Sequence, residues 1–248
     1  MTYCLGIITA QGLVLASDSR TNAGYDQVNI CRKMHLFVKP GERCFVVLTS
    51  GSLSVSQSVL TLLHQDFDAG AGLAEAVTFY DAARVVGACV RKVAKIDREA
   101  LEEDDYKFNI NVILGGQIAG SPHDLYMIYP QGNPLRATEE SPFLQIGETK
   151  YGRPILDRGI QYRQTTLEQA AKFSMISFDS TMRSNVTVGP PIDMVMYTKD
   201  DLKIKQFRRF KDKDPDLIAI HGQWEQALRR AIIELPPIRF DEIESKFP

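Results

Sequence analysis

The sequence lacks the motifs that mark several common kinds of site. Its 248 residues include only four cysteines and four histidines. The cysteines lie far apart without a C-x-x-C pair, so we expect reduced, mostly buried thiols in a cytoplasmic protein. The histidines show neither H-x-x-x-H nor H-E-x-x-H spacing, and a G-x-S-x-G motif is missing as well. We therefore expect a protein that works without a metal ion or an organic cofactor.

Long apolar runs and a surplus of one charge are also missing. No apolar stretch approaches the roughly 20 residues that a membrane-spanning helix needs, and the N-terminus lacks the basic and apolar regions of a signal peptide. The 29 basic and 31 acidic residues leave a net charge of −2, which favours neither a nucleic-acid nor a membrane partner. Because no linker and no repeat divides the chain, residues 1–248 are predicted to form a single domain.

The first fifty residues predict two β-hairpins. Their strands are expected at residues 2–9, 13–17, 34–38 and 44–49. The first hairpin has a tight turn that ends in Gly12, and the second has a Pro-Gly turn. The polar residues 19–29 between them are predicted to be a loop. Both inner strands are apolar on both faces, which is typical of a sheet that is covered on both sides.

Helical and extended patterns alternate through the rest of the chain. Apolar residues at helical spacing predict helices at about 52–67, 72–98, 150–160, 167–182 and 215–235. Further strands are predicted at 108–116, 124–129, 193–198 and 202–210, with a short one that ends at Gly147. Strands that are buried on both faces, with helices arriving in two pairs, predict two packed sheets between two helical layers. The expected fold class is therefore α+β, a four-layer αββα sandwich.

Four features of the first fifty residues are compatible with one site. They are Thr2 behind the initiator methionine, Asp18 in Ala-Ser-Asp-Ser-Arg, Lys33 in Cys-Arg-Lys-Met-His, and Gly51 where a strand meets a helix. Removal of Met1 would leave Thr2 with a hydroxyl nucleophile and a free α-amine as its base. Taken singly, Asp18 is better explained as a turn residue and Lys33 as a solvated lysine. Their joint spacing is what indicates a site.

Together these motifs resemble a known family. The resemblance rests on Thr2, Gly-Ile-Ile-Thr, Leu-Val-Leu-Ala-Ser-Asp-Ser-Arg, Lys33 and Ser-Gly51. These look like the β-type subunits of proteasome-like peptidases, which are N-terminal nucleophile hydrolases. The Met-Thr-Tyr-Cys start without a propeptide and the long C-terminal tail are most similar to the bacterial ancestral proteasome β subunit group, called Anbu. The family's αββα core would cover residues 2–200, and residues 201–248 would add a last strand and a C-terminal helical extension.

The resemblance implies a role for each matching residue. The Thr2 hydroxyl would attack a peptide carbonyl and form an acyl-enzyme that water resolves, with the α-amine accepting the hydroxyl proton. Lys33 would favour the neutral amine, and Asp18 would fix the position of Lys33. The Gly51 N–H would stabilise the oxyanion. The pocket for the residue before the scissile bond is expected to be bordered by Arg20, Cys31, His35 and Thr49.

The sequence departs from the family pattern at two positions. The family has a serine after the Ile-Gly step, where this chain has Glu148. It also has Asp-x-x-Ser-Gly before a late strand, and the nearest match here is the segment 181–185. That match makes Ser184 a catalytic candidate in the place of the serine, with Asp179 as the nearby substitute for the aspartate.

The sequence thus predicts a threonine peptidase subunit of a self-compartmentalising homo-oligomer, a ring or an open helical assembly that acts on peptides or proteins. It does not identify an ATPase partner. Two alternatives stay open. One is a non-proteolytic assembly or binding scaffold with the same fold. The other is an N-terminal nucleophile amidase that acts on a small molecule or an isopeptide bond.

Overall fold

The computed structural model of the protein describes residues 2–22 and 28–240. Its strands are β1 (Tyr3–Thr9), β2 (Gly12–Asp18), β3 (Arg20–Asn22), β4 (Val28–Ile30), β5 (Met34–Lys39), β6 (Arg43–Gly51), β7 (Ile110–Ile118), β8 (Asp124–Ile128), β9 (Pro134–Arg136), β10 (Phe143–Gly147), β11 (Ile192–Thr198) and β12 (Gln206–Phe210). Met1, residues 23–27 of the predicted loop and residues 241–248 of the predicted extension lie outside this description.

Two five-stranded antiparallel sheets form the centre of the molecule. The first has the order β10-β1-β2-β11-β12 and the second the order β5-β6-β7-β8-β9, while β3 and β4 pair as a separate ribbon. In the first sheet, Tyr3 lies opposite Gly147 on β10, and Cys4 lies opposite Ser17 on β2. Because β2 and β10 both end beside the start of β1, Thr2 lies at the end of the sheet between two strand termini.

The helices cover the outer faces of the two sheets. They are α1 (Leu53–Asp68), α2 (Phe79–Glu103), α3 (Arg153–Gly159), α4 (Leu167–Ser184) and α5 (Pro215–Glu234). One hydrophobic cluster joins α1 and α2 to the second sheet, and another joins α3 and α4 to the first sheet. The structure therefore confirms the four-layer αββα sandwich.

A third hydrophobic cluster lies between the two sheets. It contains Cys4 and Leu15 from the first sheet and Val46, Leu48 and Ile113 from the second. Every residue of β1 and β2 is buried, because one face contacts this cluster and the other contacts the helices. This explains why both inner strands are apolar on both faces and confirms the prediction of a covered sheet.

The predicted start of the second helix at residue 72 is wrong by seven residues. Gly72–Ala74 is a single 3-10 turn, and α2 begins only at Phe79. A capping box fixes this start, because the Thr78 hydroxyl accepts from the Asp81 N–H and the Asp81 carboxylate accepts from the Thr78 N–H. The helical spacing of apolar residues before Phe79 was therefore misleading.

Two other boundaries also differ from the predictions. The predicted loop 19–29 contains β3 and β4, which pair with Arg20 opposite Ile30. Each strand of this ribbon has only three residues, too few for a pattern of alternation to indicate a strand. The last strand begins at Gln206 rather than at Leu202, because Leu202 has a φ of 48° and lies in the turn after β11.

The last helix, α5, confirms the prediction at 215–235 but contains no buried residue. Its Leu217 and Ile220 pack against the cluster that joins α4 to the first sheet, and the Nδ1 of its His221 lies 2.8 Å from Asp179 Oδ1 on α4. Large apolar side chains on it face outward, and Ile232 and Ile233 are 66% and 83% exposed. In the part of the chain that the structure describes, none of the helices has the length and apolar character that a membrane span requires.

Candidate active site

Thr2 lies beside a cavity of about 230 Å³ at the end of the first sheet. The described residues that line it are Thr2, Thr21, Cys31, Arg32, Lys33, His35, Thr49, Ser50, Gly51, Leu53, Ser56, Gln57 and Leu60. Besides Thr2, they come from β3, from the start of β5 and the segment before it, from the end of β6 and from the first turns of α1. The structure therefore brings together Thr2, Lys33 and Gly51, which the sequence analysis had selected from three separate motifs.

A buried ion pair lies behind this cavity. Lys33 Nζ is 2.7 Å from Asp18 Oδ1, and the two side chains are 7% and 0% exposed. The same ammonium donates to the carbonyl of Arg20 at 2.6 Å. A lysine ammonium has three hydrogens, and these two contacts use two of them. Lys33 also lines the cavity that Thr2 lines, so its positive charge lies at the cavity wall.

Asp18 connects this ion pair to the strand that carries Thr2. Its Oδ1 accepts from the Tyr3 N–H at 3.0 Å, so one carboxylate holds both Lys33 and the residue after Thr2. Burial raises the pKa of the Asp18 carboxyl, while the Lys33 ammonium and the Tyr3 N–H oppose this rise. Removal of Lys33 would leave burial without its main counterweight. The ion pair is therefore a requirement for a charged carboxylate at this depth.

Gly51 supplies a main-chain donor at the opposite wall. Thr49 donates its N–H to the Lys33 carbonyl at 3.1 Å, toward the β5 side, and Ser52 donates to Asn109 on the β7 side at 2.8 Å. Alternation along β6 directs the Gly51 N–H to the same side as that of Thr49, beyond the first residue of β5, Met34, which lies opposite Leu48. This N–H therefore faces the cavity region, as an oxyanion donor would need to.

Three of the four expected pocket residues line the cavity. Cys31, His35 and Thr49 do so, and Cys31 is the one partly exposed cysteine among Cys4, Cys31, Cys44 and Cys89. The His35 ring meets the edge of His64 at a centroid distance of 5.9 Å. Burial lowers the pKa of His35 below its ordinary value of 6.5, so this imidazole is neutral at pH 7. The pocket wall beside Thr2 thus combines a thiol, a neutral ring and a hydroxyl.

The fourth expected pocket residue, Arg20, lies outside the cavity lining. Its Nη1 donates to the Val186 carbonyl at 2.6 Å, and its guanidinium packs so closely on Gly189 that a Cβ there would lie 2.4 Å from the Arg20 Cζ. Arg20 therefore holds the segment between α4 and β11 against the site. Its carbonyl, not its side chain, contacts Lys33.

The structure places Ser184 and Asp179 away from the contacts around Thr2. Ser184 is the exposed last residue of α4, and Asp179 contacts His221 of α5. The next residue, Asn185, contacts Glu148: its Nδ2 donates to Glu148 Oε2 at 3.0 Å. A catalytic role for Ser184 stays a prediction, and the contact that the structure shows in this segment is the one between Asn185 and Glu148.

Glu148 and Gly147 hold the carbonyl side of Thr2. The Glu148 N–H donates to the Thr2 carbonyl at 2.7 Å. Gly147 has a φ of 87°, and a Cβ on it would lie 1.9 Å from the Thr2 carbonyl oxygen. Only glycine is compatible with this approach. In the sequence, the Ile-Gly-Glu step marks this position only as a departure from the family pattern, and the contact with Thr2 becomes visible in the structure.

No cluster that could bind a metal is present in the described parts of the chain. In particular, residues 2–22 and 28–240 contain no group of three or more histidine, cysteine or acidic side chains with suitable placement. The chemistry that this arrangement offers is instead that of a hydroxyl, a lysine ammonium held by a carboxylate, and a main-chain N–H.

Comparison with known proteins identifies the class to which this fold belongs. No protein-family model matches the chain. A proteasome subunit beta from Haloferax volcanii is 23% identical over 210 residues, which span 85% of this chain and 79% of that protein. The two sheets between helical layers and this relative together define a proteasome-like N-terminal nucleophile hydrolase.

Solved structures narrow the class to one family. An Anbu (Gly-1) mutant from Hyphomicrobium sp. strain MC1 is 41% identical, with a TM-score of 0.91 over 97% of this chain and 100% of that chain. Anbu (ancestral beta-subunit) from Yersinia bercovieri is 40% identical, with a TM-score of 0.90 and the same coverage. The Anbu complex from Pseudomonas aeruginosa, solved as a helical assembly, is 44% identical with a TM-score of 0.90 over 96% and 98% of the two chains. The chain belongs to the Anbu family.

Proposed function

We propose that this protein is a threonine peptidase subunit in which Thr2, after removal of Met1, is the nucleophile. The observation that carries the proposal is the buried pair of Lys33 and Asp18, 2.7 Å apart, at the wall of the cavity that Thr2 lines. A lysine is rarely this buried without a function or a partner. Here Asp18 is the partner, and the cavity wall beside Thr2 is where the lysine charge would act.

The reaction would begin with proton transfer inside residue 2. The α-amine of a first residue has an ordinary pKa near ~8, so it accepts a proton near neutral pH far more readily than a lysine amine with a pKa near ~10.4. The Thr2 Oγ would lose its proton to this amine and attack the peptide carbonyl. The positive charge of Lys33 would favour the neutral form of the amine and stabilise the alkoxide as it forms.

The tetrahedral intermediate would be stabilised by the Gly51 N–H. Collapse of this intermediate would transfer the proton from the amine to the leaving nitrogen and produce an ester on Thr2. Water, activated by the same amine, would then resolve the ester. The substrate is a peptide or a protein, and Cys31, His35 and Thr49 line the space for the residue before the scissile bond.

The test is the intact mass of the protein after reaction with an epoxyketone or β-lactone probe. The trimmed protein, whose first residue is checked as Thr2, should gain one adduct that peptide mapping places on Thr2. A matched sample with an acetylated N-terminus should gain none, because an amide nitrogen does not accept the proton. Folded, trimmed protein that stays unlabelled would instead favour the non-proteolytic scaffold.

The proposal includes a cytoplasmic homo-oligomer to which α5 contributes. The support is that α5 has no buried residue and exposes several large apolar side chains, among them Ile232, Ile233 and Leu228. A patch of this kind is usually covered by a partner. Light scattering at micromolar concentration should show a large homo-oligomer when residues 203–248 are intact. A monomer under these conditions would contradict the proposal.

A further inference from the structure

Glu148 lies directly across from Thr2 in the first sheet. Tyr3 is opposite Gly147, and the bond from the Glu148 N–H to the Thr2 carbonyl, 2.7 Å, extends the ladder by one rung. The Cα atoms of such a hydrogen-bonded antiparallel pair are about 5.5 Å apart. The α-amine is one bond from the Thr2 Cα. A glutamate side chain at position 148 can therefore reach it.

Asn185 fixes the chemical character of the Glu148 carboxylate. The Oδ1 of Asn185 accepts from both the N–H and the hydroxyl of Thr187, at 3.0 and 2.5 Å. A main-chain N–H can only donate, so the orientation of this amide is determined, and its Nδ2 must face Glu148. It donates to Glu148 Oε2 at 3.0 Å. Glu148 Oε2 is thus held as an acceptor by a side chain of fixed orientation.

The two cations that line the cavity, Lys33 and Arg32, do not pair with Glu148. Lys33 and Asp18 form one neutral pair. Glu148 is only 7% exposed, and among the described residues no lysine, arginine or histidine lies within salt-bridge distance of it. A carboxylate at this depth is costly unless a cation pairs with it. Removal of Met1 would create such a cation, the α-ammonium of Thr2, across the ladder.

We propose that Glu148, oriented by Asn185, is a positioning residue that binds the α-amine of Thr2 and directs it toward the hydroxyl. The catalytic effect of this contact rests on the proposed function, whereas the contact between Glu148 and the amine does not. The binding of the amine by Glu148 would exist in a trimmed protein whether or not that protein hydrolyses peptides. In the reaction, the carboxylate would hold the amine in place while its nitrogen takes the hydroxyl proton.

The first readout is the pKa of the Thr2 amine itself, measured from the pH dependence of N-terminal acylation in the assembled, trimmed protein. Titratable and charged side chains around it are Asp18, Lys33, Cys31, Arg32, His35 and Glu148. A carboxylate favours the ammonium, so Glu148→Gln should lower the pKa of the amine by about one unit, a tenfold loss of proton affinity. Glu102→Gln, an exposed change on α2, should leave it unchanged.

The second readout is the rate of probe labelling against pH. In Glu148→Gln the labelling rate should begin to rise at lower pH, because the amine loses its proton at lower pH. The maximal labelling rate should also be lower, because the amine is less well oriented toward the hydroxyl. Asn185→Ala should change both quantities in the same direction but by less. It provides the test if Glu148→Gln does not fold.

The outcomes separate this inference from the proposed function. If folded Glu148→Gln has the same amine pKa as the unsubstituted protein, the inference is overturned even if the probe labels Thr2. If Glu148→Gln does not fold, an unchanged amine pKa in Asn185→Ala has the same meaning. A lowered amine pKa in a protein that no probe labels would support the inference and contradict the proposed peptidase. A lowered amine pKa together with a shifted labelling profile would support both.

Discussion

Replacement of Lys33 by methionine tests the buried ion pair most directly. Methionine keeps most of the length of the side chain but removes its charge, so Asp18 would remain fully buried without its cation. Loss of one partner of a buried pair destabilises a protein by about 3–5 kcal/mol. The Lys172–Glu168 pair has the same separation, 2.7 Å, but both of its side chains are largely exposed. Lys172→Met is therefore the matched control and should leave stability nearly unchanged.

The pH dependence gives this prediction its sign. Burial already holds the pKa of Asp18 above its ordinary value of 3.8, and the loss of Lys33 would raise it further. The native variant would then keep a proton that the unfolded chain has released. Stability falls with rising pH wherever the native state binds more protons. The deficit of Lys33→Met should thus be small below pH 4 and grow toward neutral pH.

Urea unfolding followed by circular dichroism measures the effect, at one fixed subunit concentration because assembly adds to stability. With a slope of about 3 kcal/mol per molar, Lys33→Met should lower the midpoint by at least about 1 M. The double variant Asp18→Asn/Lys33→Met should recover part of the loss, since it buries no unpaired charge. A double variant no more stable than Lys33→Met would mean that lost packing, and not the orphaned carboxylate, explains the deficit. Equal losses in Lys33→Met and Lys172→Met would refute the argument from burial.

Three further predictions concern the contacts of Thr2, the terminal helix and the amine. Gly147→Ala should destabilise the protein and abolish probe labelling, because the new Cβ would overlap the Thr2 carbonyl oxygen. The control is Gly41→Ala, which has a similar φ but open space around it and should lower the free energy of unfolding by only about 1–2 kcal/mol. Ile233→Asp on α5 should reduce the assembly to smaller species in light scattering, whereas Arg230→Ala on the same helix should not. Labelling of the trimmed protein should rise with pH around ~7–8, as the amine loses its proton, and a profile without such a rise would argue against the amine as base.

The sequence predicts the fold well because the signals that carry it are local and redundant. Both inner strands are apolar on both faces, and this pattern has few explanations other than a sheet between two layers. Helix boundaries that depend on a single side-chain contact could not be predicted from such a pattern. The start of α2 at Phe79 is determined by the reciprocal hydrogen bonds of Thr78 and Asp81. The seven preceding residues have apolar side chains at helical spacing, so the pattern alone places the start too early.

The candidate site was predictable where a residue acts through its own chemistry, as Lys33 and Asp18 do. It was not predictable where a residue acts through register. Nothing in the sequence shows that Glu148 pairs with Thr2, because this depends on how β10 and β1 align across 145 intervening residues. The contact between Asn185 and Glu148 likewise depends on where α4 ends, because Asn185 is the residue that follows its last turn.

The described contacts of Thr2 explain why assembly and activity should separate. The Glu148 N–H binds the carbonyl of Thr2, and Asp18 binds the N–H of Tyr3, so both bonds lie on the C-terminal side of the Thr2 α-amine. Neither bond changes when that amine is free or joined to another residue. A protein that retains Met1 should therefore fold and assemble like the trimmed one, because β1 is held in the same register. What it lacks is the proton acceptor, and with it the positive charge that Glu148 would bind. Removal of Met1 would then supply the proton acceptor to a site whose other contacts are already formed.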